Sequence, residues 1–229
     1  MGVVGLFRQE KRYDIIANNL SNLQTVGFKK DVPVFDKVFT EALSSSLAED
    51  PVSSITVFQQ GDLQSTRNDL DLAIEGEGFF KVKTPAGVRY TRNGNLHLNQ
   101  DGVLLDSKGH PVLGRGSEIT LRGSQISIDK DGTIWTDGNS QGKIDLVTFK
   151  DLRDLKKEGS NLYRNESEQE EIEAAESRIH QGSLEQSNVN PMEEMVRIID
   201  AFRSFQACQK VVQVEDELNA KAVNDLARV

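Results

Sequence analysis

The closing stretch from Ser187 to Val229 constrains this chain more than any other, because its pattern allows only one long helix. Asn190 is suited to cap that helix and Pro191 to its first position, where the missing N–H would be unpaired anyway. Glu193 and Glu194 favour the positive end of the dipole. From there apolar residues recur in steps of three or four at Met195, Ile198, Phe202, Phe205, Cys208, Val212, Leu218, Ala222 and Leu226, with a polar interruption near Glu215 and no Gly or Pro. At 1.5 Å per residue such a helix runs roughly 50 Å. That outreaches a compact domain built from the rest of the chain, so a partner helix is expected to cover much of the stripe, in preference to the chain's own core.

The first thirty residues offer a matching segment. Leu6, Tyr13, Ile16, Leu20 and Leu23 fall on the a and d positions of a heptad frame, Gln9 is the polar exception, and Gly27 supplies a stop. Asn18, Asn19 and Asn22 are poor helix formers. As buried amides they would fix register between packed helices; as exposed ones they would mark a fraying end. The residues leave both readings open.

Between the two helices, Lys29–Glu49 has scattered apolar residues (Val32, Val34, Phe35, Val38, Phe39, Leu43) followed by Ser44-Ser-Ser46, and reads equally as a short helix or an extended arm. Ile55 to Phe58 turns β-like. From Gly61 to Phe149 glycines punctuate the chain at short intervals, several in pairs suited to hairpin turns: Asn93-Gly94, Asp101-Gly102, Asp131-Gly132 and Asp137-Gly138. Strands are expected at 79–83, 88–91, 95–98, 126–128, 134–136 and 143–149, rich in branched and aromatic residues, with Trp135 in their core. Spacing of this kind points to an antiparallel sandwich or barrel. The expected fold class is α+β: terminal helices forming a coiled-coil-like assembly region around a central, mainly antiparallel β domain. The segments are 1–30 (N-terminal assembly helix), 31–60 (connecting arm), 61–186 (β domain) and 187–229 (C-terminal assembly helix).

A net charge of −9 argues against a nucleic-acid partner and against a polybasic membrane anchor. No run is long enough to span a bilayer, and Val3, Val4, Leu6 and Phe7 are too few for a secretory signal before Arg8, Glu10, Lys11 and Arg12. Cys208, the single cysteine, reads as a small buried hydrophobe. Catalytic motifs are missing. Glu75 and Glu77 would share a face if both lay on one strand, at a spacing near that of glycosidase carboxylates, which makes a cell-wall glycan hydrolase the alternative of a different class, yet no aromatic sugar platform accompanies them. The Asp129-Lys-Asp131 run opens like a calcium loop but has glycine too early and Ser140 where the closing Glu belongs, so it reads as a turn. His97, His110 and His180 lack partners at metal spacing. Glu166, Glu168, Glu170, Glu171, Glu173 and Glu176 read as a solvated acidic face, with recruitment of a basic partner as the alternative.

Three blocks of residues resemble bacterial flagellar rod and hook proteins: Ala17 to Lys30, around Gly27-Phe28; Gln60 to Gln64 and Leu70 to Phe80, around Gly76, Gly78 and Phe79, with Tyr90-Thr-Arg92-Asn-Gly94; and Gln181 to Asn190, including Asn188, with Glu194-Met195. The proximal rod branch of the family is the nearest match, by Asn188-Val-Asn-Pro191, Pro111 to Gly114 and Lys157 to Tyr163; the distal rod branch is the near alternative, and the chain has no room for the hook branch's large outer domain. The family's first helix usually begins a turn or two before the position of Gly5, which bears on the length of that helix here. The resemblance implies a structural subunit, not an enzyme, without cofactor, metal or small-molecule substrate. It implies export in unfolded form through the flagellar type III apparatus without a cleaved signal, and assembly into the rod that crosses the periplasm. Its partners would be copies of itself, other axial proteins of rod and hook, and the export apparatus. Leu6, Tyr13, Ile16, Leu20, Leu23, Met195, Ile198, Phe202, Phe205 and Val212 are then expected to carry contacts between copies, with Asn18 and Asn19 tuning register.

Overall fold

The computed structural model describes residues 2–34, 53–123, 125–159 and 161–226. The choice between helix and extended arm for Phe35, Val38, Phe39 and Leu43 lies outside the described residues, as do the side chains of Ala222 and Leu226. The fold is α+β and divides into a helical unit (residues 1–22, 31–57 and 189–229) and a β unit (23–30 and 58–188).

The helical unit holds α1 (Gly2–Ser21), α2 (Pro191–Leu226) and a hairpin pairing Asp31–Val34 with Ser53–Thr56. Asn190 caps α2 as its sequence suggests, its Oδ1 accepting from the N–H groups of Met192 (3.0 Å) and Glu193 (3.4 Å). The two helices pack on each other within the chain and run antiparallel. Gly5 lies beside Cys208, where a Cβ on the glycine would come 3.5 Å from Sγ, while at the other end Asn19 reaches Glu194. Ile16 and Ala201 are buried, and Ile198, Phe205, Cys208 and Val212 are half-buried along α2. α1 ends earlier than Gly27 suggested. Its last carbonyls are taken locally: Ser21 Oγ donates to Ala17 O (2.8 Å), Asn22 Nδ2 to Asn18 O (2.9 Å) and Asn22 N to Asn19 O (3.1 Å). Leu23, placed in the heptad frame by its spacing, therefore lies beyond the helix in a turn.

The β unit is built on a six-stranded antiparallel sheet in the order 155–159, 162–165, 87–91, 79–84, 146–148, 172–173. Phe79 and Phe80 point to opposite faces of their strand and both are fully buried, so the sheet is covered on two sides. Phe80 and Val82 join Leu72, Ile74, Leu104, Val112, Ile134, Ile144 and Ile179 in the larger core cluster. Phe79 joins Tyr90, Val147, Phe149, Leu155 and Tyr163 in a second, mostly aromatic one. A three-stranded sheet of 126–128, 133–136 and 139–143 is joined by the Asp131-Gly132 and Asp137-Gly138 turns.

Two expectations for this unit are corrected. Trp135 points outward, 37% exposed, with Nε1 donating to Asp129 Oδ2 at 2.7 Å, because Ile134 and Thr136 take the inward positions of their strand. Asn93-Gly94 makes no hairpin. Gly94 lies against Leu72, its carbonyl accepting from Leu72 N at 2.9 Å, and a Cβ there would fall 1.7 Å from Leu72 O. Glycine is required by that close backbone approach.

Candidate assembly surface and anchor

The two units each carry one feature that goes beyond an ordinary core. In the helical unit it is the outward side of α2. Residues 194, 198, 201, 205, 208 and 212 repeat at three and four and form the covered flank, which a single amphipathic stripe would exhaust. Yet a second apolar strip runs along another side: Met192, Met195, Ile199 and Phe202, the last three 49%, 51% and 52% exposed. Towards the other end of α2, Val211, Val214 and Leu218 are all exposed. On α1, Phe7 and Tyr13 are exposed as well.

The expected contact residues are thus divided by the structure. Tyr13, Met195 and Phe202 are open; Ile16 is buried within the chain; Leu6, Leu20, Leu23, Ile198, Phe205 and Val212 are half-buried. The asparagines divide too. Asn18 is exposed, whereas Asn19 is buried among hydrogen-bond partners. Ile199, Val211 and Val214 are apolar positions outside the heptad-like spacing, which is why that spacing passed over them.

In the β unit the feature is a buried ionic cluster that binds residues 23–30 to the sheet domain. Lys29 and Glu185 are fully buried and Arg92 nearly so. Glu185 Oε1 accepts from Lys29 Nζ and from Gly61 N (2.9 Å), Oε2 accepts from Arg92 (3.4 Å), and the Glu185 backbone carbonyl accepts from Gly27 N (2.8 Å). Lys29 also donates to Gln59 O (2.8 Å) and Arg92 to Gly76 O (2.8 Å), and the Arg92 guanidinium lies 5.2 Å from the centre of the Phe79 ring. Burial pushes the Lys29 ammonium down from its ordinary range and does the same to Arg92, with Glu185 opposing both shifts.

The neighbouring residues complete the anchor. Asn161 Nδ2 donates to Val26 O (2.7 Å), Lys157 Nζ to Lys29 O (2.6 Å), and Asn188 Oδ1 accepts from Lys30 N (2.8 Å). Lys157 Nζ also sits 4.3 Å from the centre of the Phe28 ring. Gly27 has φ +68° and a Cβ there would fall 2.5 Å from the Arg92 carbonyl carbon, so the close docking needs glycine. Gly27, Phe28, Gly76, Phe79, Arg92 and Asn188 from all three motif blocks therefore meet in one place. Spacing in the sequence had shown none of this pairing; charged residues embedded in apolar motif blocks were the only signal.

The candidate carboxylates Glu75 and Glu77 are not brought together on one strand face. Gly76 and Gly78 break the strand after Glu75, so Glu77 lies in a bend instead of on the shared strand face considered above. Glu75 is held by His180 Nε2 at 2.6 Å, and that hydrogen bond lowers its carboxyl below the usual range. Glu171 accepts from Tyr90 OH (2.7 Å) and Lys81 Nζ (2.6 Å), and Glu173 from Lys143 (3.3 Å), so part of the acidic run is neutralised internally. Burial, with the bond to Glu171, pushes the Tyr90 phenol up. Asp131 accepts from its own turn at Thr133 N (3.0 Å). His110 sits 3.0 Å from Asp106, and no group of three or more metal-ligating side chains occurs among the described residues.

Comparison with known proteins agrees along the chain. Residues 1–29 match the family model for flagella basal body rod proteins, 73–136 that for the D1 domain of the flagellar hook protein FlgE/F/G, and 180–226 that for the C-terminal part of the flagellar basal body rod FlgEFG proteins. The flagellar basal-body rod protein FlgF of Caulobacter vibrioides is 35% identical, over 99% of this chain and 97% of its own length. FlgG proteins of Bacillus subtilis and of Buchnera aphidicola from Acyrthosiphon pisum are each 32% identical, over 97% and 95% of the chain and 96% and 95% of their own lengths.

Proposed function

Because the chain belongs to the flagellar basal-body rod proteins and is a structural rod subunit, we propose that it joins the rod through the outward apolar side of its helical unit, with other copies as the covering partner. One observation carries this reading: α2 keeps a second apolar strip, Met195, Ile199 and Phe202, after its own α1 is already packed on it. A head-to-tail contact that does not close on itself generates a helical array, so one repeated contact would build a tube. In this reading Tyr13, Met195 and Phe202 meet neighbouring copies directly, while Ile16, Ile198 and Phe205 act from within by holding the helix pair.

The same reading takes the chain through the flagellar export apparatus unfolded and without a cleaved signal, into the periplasm-crossing part of the rod, in its proximal segment beside other rod and hook-family proteins. Labelled imaging of isolated basal bodies tests the position. The contact face is tested by Phe202→Asp. At a half-exposed site the change should alter the stability of the lone chain by less than about 1 kcal/mol. In the assembled rod the carboxylate would be buried without a partner, which costs several kcal/mol, a more than hundredfold loss of affinity at about 1.4 kcal/mol per tenfold. Motility should be lost while the β unit stays resistant to protease. A fully motile variant would show that this strip is not the contact.

A further inference from the structure

We propose that Asn19 sets the register of the α1–α2 pair, acting as a polar pin that joins α1, the hairpin and α2 in one alignment. Its side chain, 1% exposed, makes three hydrogen bonds that tie its own helix to two other elements. Oδ1 accepts from Asp31 N at 2.9 Å and Nδ2 donates to Asp31 O at 2.8 Å, so the amide pairs with both backbone groups of the first hairpin residue as a strand neighbour would. Nδ2 also points to Glu194 Oε2 at 3.4 Å, in the first turn of α2. Glu194 is itself fully buried, with Arg197 at 3.5 Å from its other oxygen.

The covered apolar positions near the pair do not specify alignment. Ile16, Ala201, Ile198 and Phe205 are apolar, and apolar side chains repack after a slide of one turn, about 6 Å for four residues. A slide in one direction sets Asn19 opposite Ile198 and in the other opposite Asn190, and either one leaves buried amide and carboxylate groups without partners. A single buried asparagine is known to select register between helices in this way. Asn18, one residue earlier and exposed, lacks the geometry for it.

The neighbourhood of Gly5 and Cys208 supplies the readout. A cysteine introduced at Gly5 would place its Cβ 3.5 Å from Cys208 Sγ, so a disulfide reports the observed register. Three full-length chains are prepared: Gly5→Cys with native Cys208, Gly5→Cys/Cys208→Ser/Ser204→Cys, and Gly5→Cys/Cys208→Ser/Val212→Cys. The last two report a slide of one turn in either direction. Each is equilibrated in a glutathione redox buffer, and the intramolecular disulfide is quantified in the monomer by mass.

With Asn19 present, the disulfide at position 208 should exceed those at 204 and 212 by more than about tenfold. With Asn19→Leu the helices should stay paired and the ratio should fall to within about threefold. Asn19→Ala, smaller than the original side chain, is run beside it so that a leucine that does not fit cannot imitate the result. A strong preference for position 208 in both variants would overturn the proposal, as would equal bridging at all three positions with Asn19 intact. Loss of all three bridges in both variants would also overturn it, since Asn19 would then hold the pair together without choosing its register.

Discussion

Lys29→Met removes one member of the buried ionic cluster and keeps the length of the side chain. In the native protein Lys29 and Glu185 are both fully buried, so solvent does not screen their interaction. Breaking such a pair from one side costs about 3–5 kcal/mol, because a carboxylate is left buried with too little compensation. Here Glu185 keeps Gly61 N at 2.9 Å and Arg92 at 3.4 Å, which places the expected loss at the lower end, about 3 kcal/mol. Glu185→Gln alone should cost a similar amount, since Lys29 and Arg92 would then face each other without the carboxylate. The double variant should lose less than the sum of the two, with a coupling of about 2 kcal/mol. Urea unfolding followed by the fluorescence of Trp135, the only tryptophan, reports the β unit directly. Protease should cut within residues 23–30 of Lys29→Met well below the unfolding midpoint. A loss under about 1 kcal/mol in Lys29→Met, or strict additivity in the double variant, would refute the view that the cluster anchors this segment.

Other perturbations test separate parts of the structure. Gly94→Ala should cost about 3 kcal/mol or more in the same unfolding experiment, because its Cβ would overlap Leu72 O and force two backbones apart; a near-neutral result would contradict the close approach. Glu158 accepts two hydrogen bonds from Arg89, which lower its carboxyl below the ordinary 4.5. Its folded-state value lies below the unfolded one, so its contribution is complete above about pH 4.5 and disappears as pH falls through the depressed value. The thermal midpoint of Glu158→Gln should therefore fall less steeply than that of the native chain between neutral pH and about pH 3, and parallel curves would exclude a role for this pair.

The helices were legible because their signals are local. Asn190, Pro191 and the run of apolar residues without glycine announce α2, which begins at Pro191 as read. Several strands were equally plain. Ile126–Ile128 matches its expected span, and the expected 79–83 and 88–91 strands appear as Phe79–Thr84 and Gly87–Thr91. The Asp137-Gly138 turn joins two strands as expected. At the two misread glycines, the deciding atoms come from elsewhere in the chain. Gly27 and Gly94 looked like a helix stop and a hairpin turn, yet each is glycine because a remote backbone, of Arg92 in one case and Leu72 in the other, lies against it. Trp135 looked like core because large aromatics usually are, but its strand alternation assigns the inside to Ile134 and Thr136.

By itself the sequence determined that this chain has two apolar helices at its ends and a β domain between them in sequence, since periodicity, caps and turn residues act over a few neighbouring positions. Only the tertiary structure decided which side of α2 its own α1 covers and which side it leaves open, and only there does Asn19 separate from Asn18 as the buried amide. It also brought Lys29, Arg92 and Glu185 together from three distant segments. The physical reason is shared by all of these: burial and ion pairing depend on what the folded chain carries to a residue's side, and no stretch of sequence around that residue encodes it.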